Sequence, residues 1–92
     1  MGQTIMQNTK KCYITGRTYP LHKHHCIPGF GTRSQCEKYG LWVWLTPDVH
    51  YRVHNTSDGT DLYIRQQAQR AFEKTHTREE WHKIFGRSYL DD

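Results

Sequence analysis

The sequence lacks the features that would assign it to a membrane or secreted class. No stretch approaches the ~20 consecutive apolar residues that a membrane-spanning helix needs. Residues 1–11 are polar, without the apolar core or cleavage site of a signal peptide. The three cysteines, Cys12, Cys26 and Cys36, are odd in number and show no Cys-x-x-Cys spacing, which disfavours a disulfide framework and a four-cysteine zinc site. We therefore expect a cytoplasmic protein that does not enter a membrane.

Apolar residues and net charge are also limited. The chain has 92 residues, of which 35% are hydrophobic, so there is room for one small domain whose core is marginal without a metal or a partner. The formal net charge of +4 suits a polyanion partner, but it suits an ordinary basic surface equally well. No repeat or long linker divides the chain. We expect a flexible tail over residues 1–11 and a single domain over residues 12–92.

Two segments are typical of β-strands. Residues 12–26 alternate weakly in polarity and are interrupted by a turn signal at residues 15–17 (TGR), which predicts a short hairpin whose second arm carries His24 and His25. The apolar run at residues 41–45 (LWVWL) lacks helical spacing, which favours a buried strand.

Helix signals surround the second of these segments. Residues 34–37 (SQCE) have the form of a capping box, and Gly40 is typical of a helix end. Residues 46–48 (TPD) combine a capping threonine, a proline suited to the first helical position and an aspartate suited to the positive end of the helix dipole. The helix they begin places His50 and His54 on one face, because residues four apart are neighbours on a helix.

The C-terminal third predicts two more helices that complete the core. The first has an apolar stripe of Ile64, Ala68, Ala71 and Phe72. The second begins at a capping box over residues 77–80 (TREE) and ends at Gly86. Its inward side chains are Trp81, Ile84 and Phe85.

The histidines are the only residues whose arrangement suggests chemistry. Imidazole is the commonest metal ligand and the usual general base near neutral pH. His24 and His25 end the predicted hairpin, and His50 and His54 lie on the helix that follows the apolar strand. His22, His76 and His82 are expected to be ordinary surface or core residues.

This order of strand, connection, strand and capped helix resembles the His-Me finger, or HNH, nucleases, in which a ββα unit holds one divalent cation. Further fragments in the same order look like a compact group of phage-type HNH proteins, and the likeness covers most of residues 12–90. It implies an α+β fold with a ββα-metal core and additional C-terminal helices. The fragments are residues 24–25 (HH), 37–43 (EKYGLWV), 47–50 (PDVH), 53–55 (VHN), 68–69 (AQ), 72–73 (FE) and 85–90 (FGRSYL).

The resemblance implies a role for each histidine. In this family the second residue of an Asp-His or His-His pair is the general base and the first is a metal ligand, which implies His25 as the base and His24 as a ligand. The histidine on the following helix is a ligand, here His50, and a further helical histidine, His54, helps to hold the metal or the phosphate. One divalent ion (Mg²⁺, Mn²⁺, Ni²⁺ or Zn²⁺) would then act with the base in hydrolysing DNA.

The chain departs from the family pattern in two places. Relatives often have an asparagine near the start of the second strand that orients the base, where this chain has residues 40–41 (GL). Asn55 or a backbone carbonyl is a candidate substitute, and Lys23 and Arg52 are candidates for phosphate contact. Relatives also often bind a structural zinc with paired cysteines, and here Cys12 has no such pair.

Two functions from different classes follow. The first is a metal-dependent HNH endonuclease acting on DNA, in the host cytoplasm if it is phage-encoded, with weak sequence preference unless it works as a homodimer or with a phage protein. The second is a non-catalytic, metal-stabilised module that binds DNA or a protein, which would keep His24 and His50 but not need His25 as a base. A purely structural zinc site built from the same histidines is a further alternative.

Overall fold

The chain forms an α+β fold, as predicted, of two strands and four helices. The structure is a computed structural model that describes residues 3–29 and 31–90. Residues 1–2 of the predicted tail, and residues 30 and 91–92 of the predicted domain, lie outside the described residues. The elements follow in the order β1 (His22–His25), α1 (Thr32–Tyr39), β2 (Trp42–Leu45), α2 (Pro47–Asn55), α3 (Thr60–Phe72) and α4 (Arg78–Phe85). β1 and β2 pair antiparallel, with His24 opposite Val43.

The partner of β1 differs from the prediction. The hairpin expected over residues 12–26 does not form, because β1 pairs with β2 and its expected first arm is a turn. In that turn the Cys12 N–H donates to the Arg17 carbonyl at 2.7 Å, and the Gly16 N–H donates to the Cys12 carbonyl at 2.9 Å. β2 is the better partner because its side chains are largely apolar and buried, and sheet stability comes mainly from such packing. The second half of the prediction is confirmed, since a strand carries both His24 and His25.

The first helix begins earlier than its predicted cap. α1 starts at Thr32, whereas the capping box was expected at residues 34–37. The Ser34 hydroxyl donates to the Gly31 carbonyl at 3.2 Å, so it serves the preceding turn and does not cap the helix. The predicted end is confirmed, because Gly40 caps α1 in the left-handed conformation with φ of 72°.

α2, α3 and α4 form where the sequence patterns predict helices. The buried residues of α3 are Ile64, Ala68, Gln69 and Phe72, so Ala71 of the predicted apolar stripe is only partly buried. α2 begins at Pro47 directly after Thr46, although the Thr46 hydroxyl lies 3.5 Å from the Cys12 sulfur and does not cap the helix. The predicted capping box of α4 is confirmed: the Thr77 hydroxyl accepts from the Glu80 N–H, and the Thr77 N–H donates to the Glu80 carboxylate. Within the described residues, no helix is long and apolar enough to cross a membrane.

A single hydrophobic core connects the sheet to the helices. The sheet contributes side chains from β2, and the helices contribute one face each. α2 packs its buried valines, Val49 and Val53, against this core, and this packing places the helix beside β1. The larger apolar side chains of the core include Ile27, Leu41, Val43, Leu45, Val49, Val53, Ile64, Phe72, Trp81 and Phe85.

Residues 3–11, expected to be a tail, lie along the edge of β2 that β1 leaves free. The Trp44 N–H donates to the side-chain carbonyl of Gln7 at 2.8 Å. The Ile5 N–H donates to the Gly40 carbonyl at 2.9 Å. These contacts satisfy backbone groups that an uncovered edge strand would expose to pairing with other chains.

The contact between the N-terminal segment and Gly40 gives a first prediction. A Cβ at residue 40 would lie 2.5 Å from the Gln3 carbonyl oxygen. We expect Gly40→Ala to lower the free energy of unfolding by about 2–3 kcal/mol, since a positive φ costs about 1–2 kcal/mol and displaced backbone adds to that. Chemical denaturation measures the change.

Gly59→Ala is the matched control. Gly59 also has a positive φ, of 94°, but a Cβ there would meet nothing within 4 Å. We expect this variant to lose only about 1 kcal/mol, from backbone strain alone. Equal losses in the two variants would contradict the close approach of residues 3–5 to Gly40.

Candidate metal centre

β1 and α2 present histidines to each other across the edge of the core. Alternate residues of a strand share one face, so His22 and His24 lie on the same side of β1. His50 and His54 lie four residues apart on α2, as predicted, and face that side. The ring centroid of His24 is 5.3 Å from that of His50 and 5.4 Å from that of His54.

The three rings bring one nitrogen each close enough together for the group to hold a metal ion. One ligand nitrogen from each of His24, His50 and His54 lies within 4.8 Å of the others. The Nε2 atoms of His50 and His54 are 3.2 Å apart, and two nitrogens bound to one tetrahedral ion at 2.0–2.1 Å would be separated by about 3.3 Å. This cluster of three histidines could hold a metal ion.

The surroundings of His24 are a second, independent indication of a metal site. It is only 5% exposed, and among the described residues its Nε2 atom has no hydrogen-bond partner. A buried polar atom without a partner costs about 1–3 kcal/mol. A bound cation would satisfy this nitrogen, so the donor set fits a metal that prefers imidazole ligands.

Burial within the cluster favours the uncharged form of two of its imidazoles, those of His24 and His50. Burial lowers the pKa of His24 from 6.5 to about 4, and the proximity of His50 and His54 lowers it further. Burial also lowers the pKa of His50, with further contributions from His54 and His22. Only neutral imidazole binds a metal, so these lone pairs are available near pH 7.

His25 borders the same cavity from the other side of β1. The cavity has a volume of about 360 Å³, and His24, His25, His50 and His54 all line it. The Nε2 atom of His25 lies 2.6 Å from a carboxylate oxygen of Glu37 on α1. Glu37 therefore contacts only Nε2 of the His25 ring and leaves the second nitrogen, Nδ1, without this contact.

Glu37 is a residue of the site that the sequence analysis did not identify. Hydrogen bonds from Lys23 and His25 lower the pKa of its carboxyl group, so the carboxylate is ionised near neutral pH. An ionised carboxylate accepts the proton of His25 Nε2–H and thereby leaves the lone pair on Nδ1. Glu37 is twelve residues from His25 in sequence and lies on a helix of its own, so only the fold shows their contact.

Of the three other candidate residues, the structure brings only Lys23 to the cavity. The Asn55 amide donates to the Tyr51 carbonyl at 2.9 Å, and Asn55 is not among the described residues that line the cavity. It therefore does not contact His25 as an orienting residue would. Arg52 also lies outside the lining, where it pairs with Asp58 at 3.2 Å.

The lowered pKa of His24 predicts an acid-sensitive metal-free protein. The unfolded chain takes up a proton at His24 near its ordinary pKa of 6.5, and the folded protein does so only near 4. Between these values the unfolded state binds more protons, so acid favours unfolding. In the presence of a chelator, we expect His24 to remove about 3 kcal/mol of stability between about pH 7.5 and pH 4.

Denaturant titrations across this range measure the effect, and His24→Gln is the control because it removes the titrating ring. We expect the variant to lose stability less steeply as the pH falls. The same pH dependence in both proteins would contradict a buried neutral imidazole at residue 24.

Comparisons of the chain with models of protein families, with curated proteins and with solved structures find no match in any of the three. The likeness to HNH nucleases therefore remains a resemblance carried by the sequence fragments. The structure shows an α+β fold in which three histidines from β1 and α2 form a cluster that could hold a metal ion.

Proposed function

We propose that this protein is a metal-dependent endonuclease of the HNH type that hydrolyses phosphodiester bonds in DNA. In this proposal β1, β2 and α2 form the ββα-metal core. The observation that supports it best is the shared cavity, which places the candidate base His25 beside the cluster of His24, His50 and His54. Phosphodiester hydrolysis needs both components, a base that activates water and a cation that stabilises the charge on the phosphate and the leaving oxygen.

Each residue around the cavity has a part in this mechanism. His25 takes a proton from water through Nδ1, while Glu37 holds the opposite nitrogen and stabilises the charged ring that results. His24, His50 and His54 would hold the divalent cation, and this cation would supply positive charge that stabilises the phosphate in the transition state. Lys23, Arg33 and Arg65 also line the cavity; Lys23 pairs with Glu37, and Arg65 pairs with Asp61, another lining residue. The positive charge of Arg33 adds to theirs and favours the approach of a phosphate group.

The number and type of ligands support a catalytic metal over a structural one. Structural zinc sites are closed by four protein ligands, whereas catalytic sites use three and keep a position for water or substrate. Within the described part of the chain, the metal-ligating group contains three residues. Three imidazoles favour Zn²⁺ or Ni²⁺ over Mg²⁺ and Mn²⁺, which prefer oxygen ligands.

Incubation of the purified protein with supercoiled plasmid and each of Mg²⁺, Mn²⁺, Ni²⁺ and Zn²⁺ tests this proposal. We expect nicked or linear DNA with at least one of these ions and none in the presence of a chelator. His25→Ala should reduce cleavage by about 100-fold or more, since general-base catalysis contributes about that much, and should leave zinc affinity within about twofold. Intact plasmid with every ion would count against the proposal.

His50→Ala is the matched comparison, because it removes a proposed ligand and leaves the proposed base in place. We expect cleavage and metal affinity to fall together in this variant, with lower thermal stability in the presence of zinc. Metal binding that stabilises the wild-type protein without any cleavage would favour the alternative, a non-catalytic metal-stabilised binding module.

The contact between Glu37 and His25 gives a further prediction for the same assay. Glu37→Gln keeps the size of the side chain but removes the negative charge that holds the Nε2 proton of His25. We expect kcat to fall by about 10- to 100-fold, the usual cost of losing a partner that orients a reactive histidine, with zinc affinity unchanged. Equal kcat values for the variant and the wild type would show that Glu37 does not position the base.

A further inference from the structure

His22, which the sequence alone marks as an ordinary histidine, contacts one member of the cluster, His50. Its Nδ1 atom lies 3.1 Å from the Nδ1 atom of His50, and the two rings meet edge to face with centroids 5.3 Å apart. His22 precedes His24 by two residues on β1, so both side chains lie on the face that meets α2. His24 is buried at this face, whereas His22 is exposed at its margin.

The contact constrains the proton positions on both rings. When two imidazole nitrogens form a hydrogen bond, one carries the proton and the other accepts it. The Nε2 atom of His50 is the nitrogen that faces His54, at 3.2 Å, so a metal bound by both residues needs its lone pair there. The proton of His50 must then be on Nδ1, and the only arrangement that keeps the contact has His22 Nδ1 as the acceptor.

We propose that His22 is a positioning residue that fixes the tautomer and the ring orientation of His50 for metal binding. This inference rests on the proposed metal-binding function of the cluster and assigns to His22 a role outside the ligand set. His22 approaches His50 at Nδ1, and this nitrogen points away from the ion that Nε2 would bind. Partners of this kind hold metal-ligating histidines in many sites, and their loss typically weakens metal affinity 10- to 100-fold.

Zinc affinity of the full chain, measured by competition with a chromophoric chelator, tests the role of His22. We expect His22→Ala to bind Zn²⁺ about 10- to 100-fold more weakly than the wild type. His22→Asn should remain within about threefold, because its side-chain oxygen can take the place of Nδ1 as an acceptor. His82→Ala is the control for loss of an exposed histidine away from the cluster, and its affinity should be unchanged.

Two affinity results would overturn the proposal. If His22→Ala binds zinc within about twofold of the wild type, His50 needs no partner. If His22→Asn is as weak as His22→Ala, the effect of His22 comes from its ring and not from an acceptor atom.

The tautomer itself can be observed without any metal. Nitrogen-15 NMR of the histidine rings in the chelator-treated protein should show the His50 proton on Nδ1 in the wild type and in His22→Asn. It should show a mixture of tautomers in His22→Ala. A wild-type spectrum with the proton on Nε2 of His50 would refute the proposal.

The zinc affinities of the variants separate failure of the inference from failure of the proposed function. The proposed function fails if His24→Ala and His50→Ala bind zinc as tightly as the wild type. The role of His22 fails if those variants lose zinc while His22→Ala retains it, whatever the protein does to DNA.

Discussion

The packing of α2 beside β1, on a core supplied by β2, is the constraint on which the rest of the structure depends. β2 is buried and pairs with β1 through the register of His24 opposite Val43. Val49 and Val53 of α2 enter the same core. Because these residues alternate on the helix with His50 and His54, burying the valines leaves the two histidines at the boundary between core and solvent, opposite β1. The arrangement of the cluster therefore follows from apolar packing.

The cluster contains one buried polar atom that destabilises the metal-free protein, Nε2 of His24. His24 is buried with an unpartnered Nε2 atom among the described residues, and its neighbours on α2 disfavour its protonation. A bare cluster of this kind costs free energy. A cation that binds only the folded protein would return that free energy as stability, which is why metal binding and folding are coupled in small domains. A domain of 92 residues has limited apolar area to offset such a cost otherwise.

Two of the rings around the cavity are held from their far side by a second residue. Glu37 contacts Nε2 of His25, and His22 contacts Nδ1 of His50. In each case the contact engages one ring nitrogen. In the proposed mechanism the other nitrogen would accept a proton at His25 and would bind the metal at His50, where it lies 3.2 Å from Nε2 of His54. Preorganisation of this kind matters because a reactive imidazole must present a lone pair in one direction when substrate or metal arrives.

Local patterns in the sequence were sufficient for most of the helices and for part of the site. The capping box at Thr77, the proline at residue 47 and the spacing of His50 and His54 act through neighbouring residues, so the corresponding predictions agree with the structure. The predictions that failed needed information from distant residues. The hairpin over residues 12–26 was wrong because β1 finds its apolar partner in β2, and the cap at residues 34–37 was wrong because Ser34 bonds to the preceding turn.

By itself, the sequence determined an α+β chain with a histidine pair on a strand and two histidines on one face of a following helix. Only the tertiary structure decided which side chains complete the site. Strand pairing and helix packing brought Glu37 to His25 and His22 to His50, and left Asn55 outside the cavity. The physical reason is that spacing along the chain specifies which residues share a face of one element, whereas burial of apolar side chains selects which faces of different elements meet.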